Sequence, residues 1–212
     1  MIISWLGHSA FKIQDKTVTL AIDPYNKIGS NMSKFQADIL LISLDQEDHN
    51  YGEAIKGEPF LIDGPGEYEI KNVFVYGVPV YHDDKNEAAK SKMTAFVIEM
   101  EGIKVAHLSD LGQQSLTAEQ LDLLEGVDVL LIPVGGNETI DANGAVKIIS
   151  QIQPRIVIPM HYKISGLSNK LEGVDKFLKE FGAGSAETME KLKISKKDLP
   201  QEITKVILLN KL

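Results

Sequence analysis

The chain contains no cysteine. Disulfide scaffolds, zinc fingers and thiol nucleophiles are thereby excluded. No apolar run approaches the roughly 20 residues that span a bilayer as a helix. The opening Met1-Ile2-Ile3-Ser4-Trp5 has no basic stretch leading into a long apolar one, so it does not read as a secretory signal. Positive charge is in deficit: 22 Lys and Arg against 30 Asp and Glu leave a net charge of −8. That balance repels phosphate backbones. No Lys/Arg stripe with interleaved aromatics offsets it, which argues against a nucleic-acid partner. The most basic stretch, Lys191 to Lys197, reads as a solvated helix face or turn. These absences predict a cytoplasmic protein without a membrane partner.

What is present fits one globular unit. Hydrophobic residues make up 43% of the 212 positions, enough for one sizeable core. Gly, Pro and Asp punctuation is evenly spread, with no repeat, low-complexity tract or linker-like break, so residues 1–212 read as one domain. Short strands are predicted at Ile2–Leu6, Ala10–Ile13, Val18–Ile22, Pro59–Ile62, Asn72–Val80 and Ala95–Met100. Non-alternating apolar runs at Asp38–Ser43, Lys104–Leu108, Asp128–Val134 and Arg155–Met160 read as strands buried on both faces. Helices are predicted at Thr117–Leu124 with Ser115 or Thr117 as cap, at Ala142–Gln151 after Asp141, and at Gly173–Phe181; a last strand is Thr204–Leu209. The class is mixed α/β, a layered sandwich of sheet with helices outside.

Chemistry gathers at strand ends. D-I-L-L-I-S runs into Leu44-Asp45-Gln46-Glu47-Asp48-His49, K-V-A-H-L-S into Asp110, R-I-V-I-P-M into His161, and V-F-V-Y-G-V-P-V-Y into His82. Four apolar strands thus deliver an acid or an imidazole at their carboxyl ends, the edge where layered α/β proteins bind ligands. Imidazole with carboxylate suits zinc, iron or manganese. Taken singly, each residue also has a plain structural reading, the His as a hydrogen-bonded side chain and the Asp as a turn or cap residue.

Several segments resemble the metallo-β-lactamase superfamily, and within it the branch similar to L-ascorbate-6-phosphate lactonase and related metal-dependent hydrolases. They are W-L-G-H-S-A-F at Trp5–Phe11, A-I-D-P-Y at Ala21–Tyr25, D-G-P-G-E-Y-E at Asp63–Glu69, L-S-D-L-G at Leu108–Gly112, L-I-P-V-G-G at Leu131–Gly136 and I-P-M-H-Y at Ile158–Tyr162. The resemblance covers nearly the whole chain in order. It implies an α/β (α+β) four-layer αββα sandwich, an active site at one edge of two sheets, a hydrolase working on a small-molecule substrate, and a capacity to form homo-oligomers.

One segment departs from the family's H-x-H-x-D-H signature. The aligned hexad here is Leu44-Asp45-Gln46-Glu47-Asp48-His49. By resemblance, His82 and a share of Asp110 are all that remain of the first metal half-site. Leu44 has no lone pair, and the Gln46 amide is a weak zinc ligand. The second half-site keeps Asp48, His49, Asp110 and His161. The expectation is therefore one divalent ion, zinc, manganese or iron, or none. With an ion, Asp48, Asp110 and His82 would be the catalytic groups in attack on a lactone, ester or phosphoester, His82 orienting substrate or donating a proton. Without one, the acids and imidazoles would satisfy each other, and the protein would be an inactive small-molecule-binding or regulatory homologue. Asp23 resembles the family residue that supports the ligand loop. The resemblance implies that His8 lies near the site edge, while its structural reading is a turn residue bonded to backbone; His107 reads as internally packed, and Gly64, Gly66, Gly135 and Gly136 as tight turns.

Overall fold

The run Asp38–Ser43 shows why the layers form. Ile39 and Leu41 point into the central core while Leu40 joins a second cluster on the outer face with Ala21, Ala37, Ala54 and Ile55. A strand with apolar neighbours on both sides needs cover on both sides.

The computed structural model describes residues 1–26, 28–29, 32–83, 91–166, 170–184 and 186–212. The strands in chain order are β1 (Ile2–Gly7), β2 (Ala10–Gln14), β3 (Thr19–Ile22), β4 (Phe35–Gln36), β5 (Ile39–Leu41), β6 (Ile55–Lys56), β7 (Phe60–Ile62) and β8 (Gly66–Ile70). There follow β9 (Val73–Asp83), β10 (Ser91–Met100), β11 (Ile103–His107), β12 (Val129–Pro133), β13 (Ile156–Met160), β14 (Glu187–Met189), β15 (Leu192–Lys193) and β16 (Lys205–Leu209). The helices are α1 (Ala118–Leu123), α2 (Ala142–Ile152) and α3 (Val174–Phe181). None of the described helices is long and apolar enough to cross a membrane.

Two sheets result, ordered β15-β1-β2-β3-β5-β7 and β14-β16-β13-β12-β11-β10-β9-β8. Their facing sides share one core, with Phe11, Ile13 and Leu20 from the first and Val75, Phe96 and Ile98 from the second all fully buried. The second sheet's outer face is covered by α2, whose Ala145, Ile148 and Ile149 are buried, and α3 packs on α2. Thr117 caps α1 with a reciprocal Gln120 box, and Asp141 caps α2. Over the first sheet, the described outer layer is a 3-10 turn at Gly52–Ala54, the small β4–β6 pair and loops, in place of an α-helix.

Several elements differ from the sequence expectation: β4, β6, β14 and β15 are strands where none was read, and β15 pairs with β1 inside the Lys191–Lys197 stretch read as a solvated helix face or turn. β9 runs on to Asp83 because β10 pairs with it over that length, Lys92 opposite Tyr81 and Ser91 opposite Asp83, carrying His82 inside the strand; β8 pairs only with its first half, Val73 to Gly77. β8 was not foreseen: G-E-Y-E-I looks like a polar loop, yet it forms an edge strand whose Glu67 and Glu69 are exposed, a charge pattern that protects edges from foreign pairing.

Close backbone approach fixes the two strand-end loops that reach the site. A Cβ at Gly112 would lie 1.8 Å from the His82 carbonyl oxygen, and one at Gly135 would lie 2.2 Å from that of His161. At Gly184 nothing lies within 4 Å. Gly112→Ala is expected to destabilise by about 1–3 kcal/mol through backbone displacement, and Gly184→Ala to stay within about 0.5 kcal/mol, both measured by denaturant unfolding. Equal midpoints for the two variants would contradict this packing.

Candidate metal centre

Asp110 lies just past β11, nearly fully buried at 4% exposure. A buried carboxylate must be paired or hydrogen-bonded. Ser9 Oγ donates to its Oδ1 at 2.8 Å. His49 Nε2 stands 3.1 Å from the same oxygen, and His161 Nε2 stands 3.3 Å from Oδ2. On the other edge of His49, Nδ1 lies 3.0 Å from Asp48 Oδ1. The turn delivering these two residues is closed by the Gln46 carbonyl, which accepts from the amides of His49 and Asn50. Asp48, His49, Asp110 and His161, predicted from separate segments, are thus brought together.

His8 joins them: its carbonyl is bonded in the turn as its structural reading expects, and its ring stands at the site whose edge the resemblance placed it near. Its ring is fully buried, edge-on to His161 at 4.3 Å and to His49 at 5.1 Å between centroids, with Nε2 3.6 Å from Asp48 Oδ2. One ligand atom each from His8, Asp110 and His161 lie within 4.8 Å of one another. A lone His in a G-H-S turn gives no periodicity or spacing signal for this placement; the resemblance put it near the site edge, and the topology that sets the β1–β2 turn against β13 supplies the contacts.

The remaining predicted residues lie around the cluster. His82, half-buried near the end of β9, has a buried Nε2 with no hydrogen-bond partner and makes no described ion pair or ring contact with the five residues. Leu44 packs against the core and Gln46 is exposed; both line a surface cavity of about 740 Å³ with Asn50, Asp63 and Lys92. None of the five clustered side chains lines that cavity. Asp23 is fully buried and accepts from the Ser43 amide, the Ser43 hydroxyl and the Ser109 hydroxyl, tying the ligand loop to the residue before Asp110. His107 is buried with Nε2 2.7 Å from the Ser9 carbonyl. Gly136 takes a left-handed φ of +67° and Gly66 a φ of +151°, as turn glycines, while Gly64 and Gly135 do not need positive φ.

Two features test whether these residues suit an ion. First, one ligand atom each from His8, Asp110 and His161 lie within 4.8 Å of one another, the spread expected of donors that share one ion with bonds near 2.0–2.2 Å. Second, His161 Nδ1 is buried without a hydrogen-bond partner, a costly arrangement unless something else accepts its lone pair. The donor set fits a divalent metal.

The charges follow from the geometry. Burial would raise Asp110, but the facing imidazoles of His161 and His49 hold it well below the usual carboxylate range. Burial would lower His49, but the Asp110 charge and hydrogen bonds to Asp110 and Asp48 lift it well above the ordinary value. Burial would also raise Asp48; the His49 hydrogen bond and charge, with His8, lower it instead. His8 goes the other way, pushed down to about 3 by burial and by His161, and so stays neutral with a lone pair.

In metal-free protein these shifts oppose each other across neutral pH. Below pH ~6.5 the unfolded His8 takes a proton that the folded one refuses, so stability falls toward acid by up to about 1.4 kcal/mol per pH unit. Above ~6.5 the unfolded His49 loses a proton that the folded one keeps, so stability falls toward base until the raised folded value is passed. Asp110 and Asp48 add further loss below about pH 4. The melting temperature in chelator is expected to peak near pH 6.5, and His8→Gln to flatten the limb between pH 6.5 and 4. A melting temperature rising steadily to pH 8.5 would contradict these charge states.

Comparison with known proteins agrees with the geometry. The profile described as the beta-lactamase superfamily domain matches residues 2–161. A UPF0173 protein of Pyrococcus furiosus is 30% identical over 185 residues, covering 76% of this chain and 83% of the relative. A UPF0173 metal-dependent hydrolase of Archaeoglobus fulgidus is 27% identical over 203 residues, covering 80% and 87%. The crystal structure of a Thermotoga maritima protein, named as a candidate Zn-dependent hydrolase of the metallo-beta-lactamase superfamily, superposes with a TM-score of 0.81 at 34% identity, covering 98% and 97%. A metallo hydrolase of Ignicoccus hospitalis shares the fold at a TM-score of 0.66 and 19% identity, covering 92% and 99%. The chain belongs to the metallo-β-lactamase superfamily and, within it, to the UPF0173 family.

Proposed function

We propose that the chain is a metal-dependent hydrolase working with one divalent ion in the second half-site, on a lactone, ester or phosphoester. The observation carrying this reading is Asp110, whose two buried oxygens each face an imidazole from a different part of the chain, His49 and His161. Relatives across most of its length are named metal-dependent hydrolases, and the lactonase-like motifs favour the lactone and phosphoester end of the range. A bound ion would supply Lewis acidity and lower the pKa of coordinated water. Imidazole and carboxylate donors together suit zinc, manganese or iron.

The chain's own groups divide the remaining work. Asp110, His49 and His161 are fixed by burial, and the ligand atoms of Asp110 and His161 already lie within 4.8 Å of each other. Asp48 is the most exposed of the clustered groups, its side chain 27% accessible, so it is placed to take a proton from water at the mouth. His82 Nε2, buried and unpaired, is the group available to orient substrate or return a proton.

A second reading rests on Leu44 and Gln46. They line the cavity of about 740 Å³ where the family's first ligands would stand, which suits an inactive homologue that binds a small molecule. Metal analysis separates the two. The hydrolase reading expects about one equivalent of zinc, manganese or iron per chain, turnover within a lactone, phosphodiester and thioester panel, and at least ~100-fold loss of metal affinity and turnover in Asp110→Asn. Metal-saturated protein silent across the panel, with metal and activity gained only in the Leu44→His, Gln46→His double variant, would favour the binding protein.

A further inference from the structure

We propose that His8 is itself a metal ligand, supplied by the β1–β2 turn in place of the imidazoles that positions 44 and 46 do not provide. The proposal rests on the single-ion reading above and adds a donor that the H-x-H-x-D-H pattern does not contain.

The 44–46 stretch gives the cluster nothing. Leu44 is apolar and packed on the core, and Gln46 is exposed at a cavity that none of the clustered side chains lines. A site with only two imidazoles and Asp110 would sit at the lower limit of three protein donors for zinc. From the opposite side, the β1–β2 turn presents the His8 ring, fully buried and edge-on to both His161 and His49. Its ligand atom shares with those of Asp110 and His161 a region no wider than 4.8 Å. The His8 ring thus stands edge-on to two imidazoles that both face Asp110, and its ligand atom lies with those of Asp110 and His161 close enough to share one cation.

The turn is also braced for this. His8 takes a left-handed φ of 52°, uncommon for a side-chain-bearing residue. Its carbonyl accepts from the Trp5 indole at 2.9 Å and from the His161 amide at 3.2 Å. The next residue, Ser9, donates to Asp110 Oδ1 through its hydroxyl, and its carbonyl pairs with His107 Nε2. Every one of these contacts ends on β1 itself or on a strand or strand end that carries the cluster. A turn needed only for chain reversal requires none of them. The left-handed backbone aims the ring at the cluster, as strained residues at binding sites do.

Cobalt(II) is the probe. In the paramagnetic NMR spectrum of Co(II)-loaded protein, each coordinated imidazole gives one solvent-exchangeable N–H resonance outside the diamagnetic range. Three are expected in the wild type, from His8, His49 and His161. Two are expected in His8→Gln and three in His82→Gln. Zinc affinity of His8→Gln is expected to fall by more than ~100-fold, beyond the 10–100-fold typical of a residue that only orients a ligand. Two resonances in the wild type, or three persisting in His8→Gln, would overturn the proposal while leaving the single-ion hydrolase intact. Wild type that takes up no Co(II) would overturn both. If His8→Gln does not fold, the wild-type count with His82→Gln decides.

Discussion

The structure depends on one buried negative charge. Asp110 sits between the two sheets' loop ends with almost no water contact, and a carboxylate in such a place must be paid for by donors from several directions. It receives a hydroxyl from the β1–β2 turn, an imidazole from the loop after β5, and another from the end of β13. Those segments are more than 35 residues apart in the chain at each step. The charge therefore ties the first sheet to the second at the edge where chemistry happens. Its burial also makes any dipole or cation beside it more effective than in water.

Backbone strain marks the same edge. Four side-chain-bearing residues around the cluster take left-handed φ angles: His8 at 52°, Asp23 at 45°, Ser109 at 45° and His161 at 50°. Each turns the chain sharply at a strand end. Asp23 and Ser109 then bond to each other through Oδ2, with Ser43 completing the triangle. Such conformations cost of order 1–3 kcal/mol each and persist only where surrounding structure over-determines them. Here the inter-sheet core does so, since Phe11, Phe96, Ile22 and Leu41 leave the strands no freedom to relax.

Much of this was legible beforehand. Buried strands show as non-alternating runs, and β11, β12 and β13 fall where V-A-H, V-L-L-I and V-I-P predict. Asp110 and His161 were singled out because each closely follows such a run, and Asp48 and His49 because the hexad after the Asp38–Ser43 run resembles the family signature. The caps at Thr117 and Asp141 were legible because capping is local chemistry. His8 was legible only through the resemblance, as a residue near the site edge: a single imidazole in a turn carries no pattern, and its contacts depend on which distant strand packs beside it. β8 was hidden because its exposed glutamates answer to an edge position set by tertiary pairing, not by propensity. Leu44 and Gln46 could be recognised as non-ligands from side-chain chemistry alone, but the cavity they line could only emerge from the fold.

The account turns on convergence around Asp110. The most direct measurement is a crystal structure of zinc-loaded protein with anomalous data at the zinc edge. The account predicts one peak per chain, within about 2.0–2.2 Å of the Asp110 and His161 ligand atoms. No peak at that point, or two peaks bridged by Asp110, would contradict it.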